Sequence, residues 1–173
     1  MMKMSRLVLG MAMVGAGVFS SAAGGGMVSA QAMNPCSLLT TSDIQPLAAK
    51  ATIADGVPNA QPAIGAVSCR YTSGVGVNRL IVNITVTESS RMYPGLSPDQ
   101  VKQKLLESVK AGTADAVIAD VGQGAVFKAE SPYHSTATAS VKGRILEVQV
   151  DGAVAREKKD QVIALLKTAA GKL

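Results

Sequence analysis

The stretch from Leu80 to Thr87 constrains the fold more than any other part of the chain. Leu80, Val82, Ile84 and Val86 alternate with Ile81, Asn83, Thr85 and Thr87. Successive side chains of a strand point to opposite faces, so the pattern predicts a β-strand with one aliphatic face and one largely polar face. Such a strand needs neighbours for its main-chain groups and a second layer for its aliphatic side. Four further segments suit the partner role. Val67, Cys69 and Tyr71 alternate with Ser68, Arg70 and Thr72, and Gly74-Val75-Gly76 then turns the chain. Ala125, Phe127 and Ala129 predict a strand, and so do Ala137, Ala139 and Val141. Lys142-Gly143 signals a hairpin into a strand carrying Leu146, Val148 and Val150, broken by Asp151-Gly152.

Helices are predicted around these strands. Thr40-x-x-Asp43 and Ser42-x-x-Gln45 both have capping-box spacing, which predicts a short helix over Ser42 to Lys50. Ser42 is the favoured cap, because Pro46 then falls near the first turn. Thr52 to Gly65, with Asp55-Gly56, Pro58 and Pro62, reads as loop. Tyr93-Pro94-Gly95-Leu96 has Pro and Gly where a type II turn takes them. Ser97-Pro98-Asp99-Gln100 opens a helix with Val101, Leu105, Leu106 and Val109 on one side, ended by Gly112. Asp115 and Asp120 fall in a segment read as loop. A last helix over Ala155 to Ala170 has Val162, Ile163, Leu165, Leu166, Ala169 and Ala170 as its apolar arc, closed by Gly171. The order is α-β-β-α-β-β-β-α. Consecutive strands joined by short turns make antiparallel hairpins, so the expected class is α+β, a single antiparallel sheet of about five strands flanked by helices.

The N-terminus speaks to compartment. Lys3 and Arg6 precede an uncharged apolar run, Leu7 to Phe19, and Ala30-Gln31-Ala32 offers the small residues that a signal peptidase reads. Residues 1–32 are expected to be a signal peptide cleaved before Met33, with Ser21-Ala22-Ala23 as the second choice, leaving residues 33–173 as one α+β domain with no stable transmembrane segment. A retained anchor is the alternative, weakened by Gly15, Gly17 and Gly24 to Gly26. A lipidated Cys36 is another, set against by the Met33-Asn34-Pro35 that precedes it. Each reading puts the domain outside the cytoplasm, periplasmic or secreted. There the only two cysteines of 173 residues, Cys36 and Cys69, are expected to form a disulfide.

Charge excludes more than it suggests. Without Lys3 and Arg6 the chain keeps 15 basic and 12 acidic residues, a net charge of +3. No block of like charge and few aromatics speak against nucleic acid. Arg156, Lys158 and Lys159, with Glu157 and Asp160 among them, read as a solvated helix face. His134 is the single histidine. A triad could be drawn from Ser131 or Ser135, His134 and Asp120, but no nucleophile elbow accompanies it. Metal ligation would need a cluster of His, Cys or carboxylates that the sequence lacks. No metal, cofactor or catalytic residue is expected.

Asn34-Pro35-Cys36-Ser37-Leu38-Leu39-Thr40, followed by Asp43-Ile44, resembles the opening of a large group of small exported bacterial proteins of unknown function, whose mature domains begin Pro-Cys-x-Leu-Leu-Thr. Val121-Gly122-Gln123-Gly124-Ala125-Val126-Phe127 resembles the Gly-x-Gly-Asp-x-Ala-Tyr stretch of that group, without its acidic residue. Cys69-Arg70-Tyr71 matches its second Cys with an aromatic two positions on. The resemblance implies an antiparallel sheet flanked by helices, similar to the PsbP-like fold of extrinsic photosystem subunits, and no catalytic residue.

The expected function is therefore a non-enzymatic binding or interaction module, with a protein or small ligand of the cell envelope as partner. Attachment to an anionic envelope surface through the basic C-terminal helix is one alternative, and a small hydrolase using His134 another. Tyr93 beside Pro94 and Tyr133 beside Pro132 lie in loops, where rigid amphipathic rings suit recognition. With Arg91 and His134 beside them, these four are the candidate binding residues.

Overall fold

The computed structural model describes residues 33–173 other than Ala49, Val77, Asn78, Val154 and Ala155. The expected signal peptide, residues 1–32, lies outside the described residues. So does Ala155, the expected start of the last helix.

Seven strands follow one another: β1 (Val57–Gln61), β2 (Ala66–Ser73), β3 (Leu80–Glu88), β4 (Ala116–Ile118), β5 (Gly124–Ser131), β6 (His134–Val141) and β7 (Arg144–Asp151). Among the described residues four α-helices accompany them: α1 (Thr41–Ile44), α2 (Ser89–Met92), α3 (Pro98–Lys110) and α4 (Lys159–Lys172). The strands form one antiparallel sheet in the order β1-β2-β3-β7-β6-β5-β4.

The sheet thus has seven strands rather than about five, and the two missed strands are its two edges. β1 lies in the segment read as loop. All five of its residues are exposed, so no face-to-face alternation of polarity marks it, and an edge strand tolerates Pro58. β4 falls between Asp115 and Asp120, also read as loop, and three residues are too few to show a period. The other five strands stand where the alternation places them. Lys142 and Gly143 both take positive φ, 48° and 76°, the backbone of a two-residue turn that follows strand twist.

Helix termini depart from expectation in two places. Thr40, not Ser42, is the cap of α1. The Thr40 N–H donates to the Asp43 carboxylate at 2.7 Å, and the Asp43 N–H donates to the Thr40 hydroxyl at 3.3 Å. The helix expected over Ser42 to Lys50 is a single α-turn continued by a 3-10 turn, Gln45–Leu47, because Pro46 is tolerated only in a first turn. α4 starts at Lys159, so Arg156 and Lys158 lie in a preceding turn rather than on the expected helix face. It runs to Lys172 with Gly171 inside it, since glycine is only weakly penalised in a fraying last turn. α3 matches its reading, with Ser97 and Gln100 forming a reciprocal capping box.

One face of the sheet is the main core. Cys69 and Tyr71 of β2, Val82, Ile84 and Val86 of β3, Leu146, Val148 and Val150 of β7, Ala137 and Ala139 of β6, and Ala125 and Phe127 of β5 are all buried there. Two layers cover it. Val162, Leu165, Leu166 and Ala169 of α4 close one part. The N-terminal segment closes the other through Leu38, Leu39, Ile44 and Leu47. A disulfide ties that segment down, Cys36 to Cys69, with Cα atoms 5.0 Å apart. The Tyr71 hydroxyl donates to the Leu39 carbonyl at 2.6 Å, with the Cys36 carbonyl at 3.0 Å. Among the described residues no helix is long and apolar enough to cross a membrane.

Candidate functional site

The second face of the sheet is covered only in part. α3 lies over its β4–β5 side, where Leu105 packs with Ala114 and Val126. Gly124 makes room for this, since a Cβ there would press on Lys102 of α3 at 3.0 Å. α2 packs against β3 and β7 near the end of β3, where Ala66, Thr87 and Ile145 pair in a cross-strand row and are buried.

Between these covers run two cross-strand rows that are polar apart from Val57. One runs Val57, Arg70, Asn83, Gln149, Thr136 across β1, β2, β3, β7 and β6. The next runs Asn59, Ser68, Thr85, Glu147, Thr138 across the same strands. These are the polar positions of the alternation that defines β3, extended sideways by strand pairing. A groove of about 540 Å³ lies over the β1, β2, β3 and β7 part of the rows. Arg70 stands exposed in it, with no carboxylate within ion-pair distance among the described residues.

Charge gathers at one border of this surface. His134 opens β6 and pairs across to Asp151. Its Nδ1 contacts an Asp151 carboxylate oxygen, and its Nε2 lies 3.1 Å from Glu130. Glu130 sits at a register shift between Ala129 and Ser131, and Lys128 is 3.3 Å from its carboxylate. The Gln149 side chain donates to Asp151 at 2.9 Å. Glu147, four residues from Asp151 on the same face of β7, is half-buried. Desolvation pushes its carboxyl above the ordinary carboxylate range, the Glu130 charge adds to the rise, and His134 opposes it. Tyr93 is also half-buried, and its hydroxyl is held above the ordinary tyrosine value by desolvation and by the Glu147 charge.

The four expected binding residues therefore divide. Tyr133 is 61% exposed in the β5–β6 turn, at the end of the sheet where His134 pairs with Asp151. Tyr93 caps α2, which follows β3 at the opposite end, where Glu88 pairs with Arg144. Arg91 lies against Gly65 at the β1–β2 connection; a Cβ on that glycine would be 3.3 Å from the Arg91 Cγ. The fold does not gather the four into one cluster. It does set both Tyr93 and His134 within electrostatic reach of Glu147.

The triad drawn from the sequence does not assemble. The carboxylates at His134 are Asp151 and Glu130, and both ring nitrogens are engaged by them. Ser135 is buried on the opposite face, the Ser131 hydroxyl accepts from the Tyr133 N–H at 3.4 Å, and Asp120 is in the β4–β5 turn. Among the described residues no three His, Cys, Asp or Glu side chains converge as metal ligands. Sequence reading missed Glu147, Arg70, Asn83 and Gln149. Their signal was the polar half of each alternation, which marks an outward face without saying what covers it.

No protein-family model, curated protein or solved structure matches the chain.

Proposed function

We propose that this protein is an exported, non-enzymatic binding module, and that it engages a protein or small ligand of the cell envelope through the uncovered polar rows of its sheet. The observation that carries this reading is the pair of rows itself. They set Arg70, Asn83, Thr85 and Gln149 side by side in an open groove, with the half-buried Glu147 beside Thr85 in the second row. Polar groups converging in a groove on a rigid sheet are a common design for recognition. The Cys36–Cys69 bridge supports a location in an oxidising compartment. The occupied ring nitrogens of His134 support a binding rather than a hydrolytic role. Tyr93 and His134 stand at the borders of the surface.

The test is purification of the protein from its native envelope fraction, followed by mass spectrometry of what accompanies it. The folded double variant Arg70→Ala/Gln149→Ala is expected to lose that companion. A matched Lys104→Ala/Lys110→Ala variant on exposed α3 is expected to keep it. Retention of the companion by the first variant would overturn the proposed surface.

A further inference from the structure

The other face of the sheet holds a second recess, a cleft of about 640 Å³ where α4 begins. Phe127 and Ala129 of β5 and Pro132 of the β5–β6 turn supply its apolar lining. Arg156 and Lys159 also line it. The Lys159 ammonium lies 5.7 Å from the centre of the Phe127 ring, a cation–π contact that sets its charge beside the apolar lining. Neither cation is within ion-pair distance of a carboxylate among the described residues. Asp115 is the one acidic group of the lining, and it is already engaged. Its carboxylate accepts from the Ala129 N–H, and its own N–H donates to the Phe127 carbonyl at 2.8 Å. Beside Ala129 on the same face, Ser135 is 1% exposed and its hydroxyl has no partner. Buried hydroxyls ordinarily find one.

An apolar recess lined by two cations that have no carboxylate partner is complementary to a molecule with an apolar body and one anionic end. A volume of about 640 Å³ suits a small amphiphile. We propose that this cleft binds a medium-chain alkyl carboxylate, its head on Arg156 and Lys159 and its chain along Phe127, Ala129 and Pro132. The site lies on the sheet face opposite the polar rows, so it does not depend on the function proposed above.

Decanoate below its micellar concentration is the probe, titrated into isotopically labelled protein and followed by amide chemical shifts. Shifts are expected to centre on Phe127, Ala129, Ser131 and Lys159. Decanol, which keeps the chain and lacks the charge, is expected to bind about tenfold more weakly or worse, the scale of one lost charge-assisted contact. Arg156→Gln/Lys159→Gln is expected to remove that preference. Ala129→Leu, which fills the cleft without changing charge, is expected to abolish binding of both probes. Arg70→Ala/Gln149→Ala is expected to bind decanoate as the parent does. Shifts elsewhere or none, equal affinity for decanoate and decanol, or undiminished binding by a folded Ala129→Leu variant would each overturn the proposal. Should the double charge variant not fold, the decanol comparison and Ala129→Leu still decide.

Discussion

Tyr71 can carry a hydroxyl into the core because the N-terminal segment brings a carbonyl to meet it. Tyr71→Phe leaves the buried Leu39 carbonyl without that donor, and urea unfolding is expected to show a loss of about 1–3 kcal/mol. Glu147 is the residue whose environment and charge disagree most. Its carboxyl is raised in the fold, so between the ordinary carboxylate range and the raised value the folded state binds more protons than the unfolded one. Stability from this group therefore falls as pH rises through that window. Glu147→Gln removes the titration. Scanning calorimetry is expected to show the variant more stable than the parent at neutral pH, with the difference shrinking below the ordinary carboxylate range. A difference independent of pH would count against the desolvated carboxyl. Asp43 acts in the opposite sense. The Thr40 main-chain N–H lowers its value below the usual 3.8, aided by the Thr40 hydroxyl, so its contribution is present above that value and lost as pH falls through the lowered one.

Within β3, neighbouring side chains have different tasks. Ile84 is fully buried in the main core, while Thr85 lines the open groove. Ile84→Ala is expected to cost about 2–5 kcal/mol in denaturant unfolding, the range for a large-to-small change in a packed core. Thr85→Ala is expected to cost about 0.5 kcal/mol or less. Equal costs would mean that the second face is packed as tightly as the first. The five inner strands were legible because each has a buried face, and burial on one side writes a period of two into the sequence. β1 and β4 were not, because Val57 to Gln61 is exposed on both sides and Ala116 to Ile118 is too short. The same reasoning explains α1. Two overlapping capping boxes compete for one helix start, and the Asp43 carboxylate reaching the Thr40 N–H decides between them.

At the scale of the whole molecule, one disulfide holds the N-terminal cover on the sheet. It closes a loop of about 34 residues, so Cys36→Ala/Cys69→Ala is expected to lower stability by about 3–4 kcal/mol in the chain-entropy account. A loss well under 1 kcal/mol in chemical denaturation would show that the segment stays docked through Leu38, Leu39 and Tyr71 alone. The pairing of β3 with β7 joins residues far apart in the chain, Thr85 beside Glu147 and Asn83 beside Gln149, and it creates both polar rows. The candidate site was legible only in pieces, with His134 and Tyr93 visible as isolated polar groups in loops. Sequence alone determined the inner strands, the α3 cap, the hairpin at Lys142-Gly143 and the partnership of the only two cysteines. Each depends on side-chain periodicity, on groups within a few residues of one another, or on there being no third cysteine to compete. Tertiary structure alone decided the edge strands, the grouping of Glu147 with Tyr93 and His134, and which polar positions stay open. A polar residue on a strand does not say what comes to rest over it: Thr87 and Ser135 are buried, while Asn83 and Gln149 line the groove. Where α2, α3 and α4 come to rest depends on packing across the whole sheet, and no local pattern encodes that.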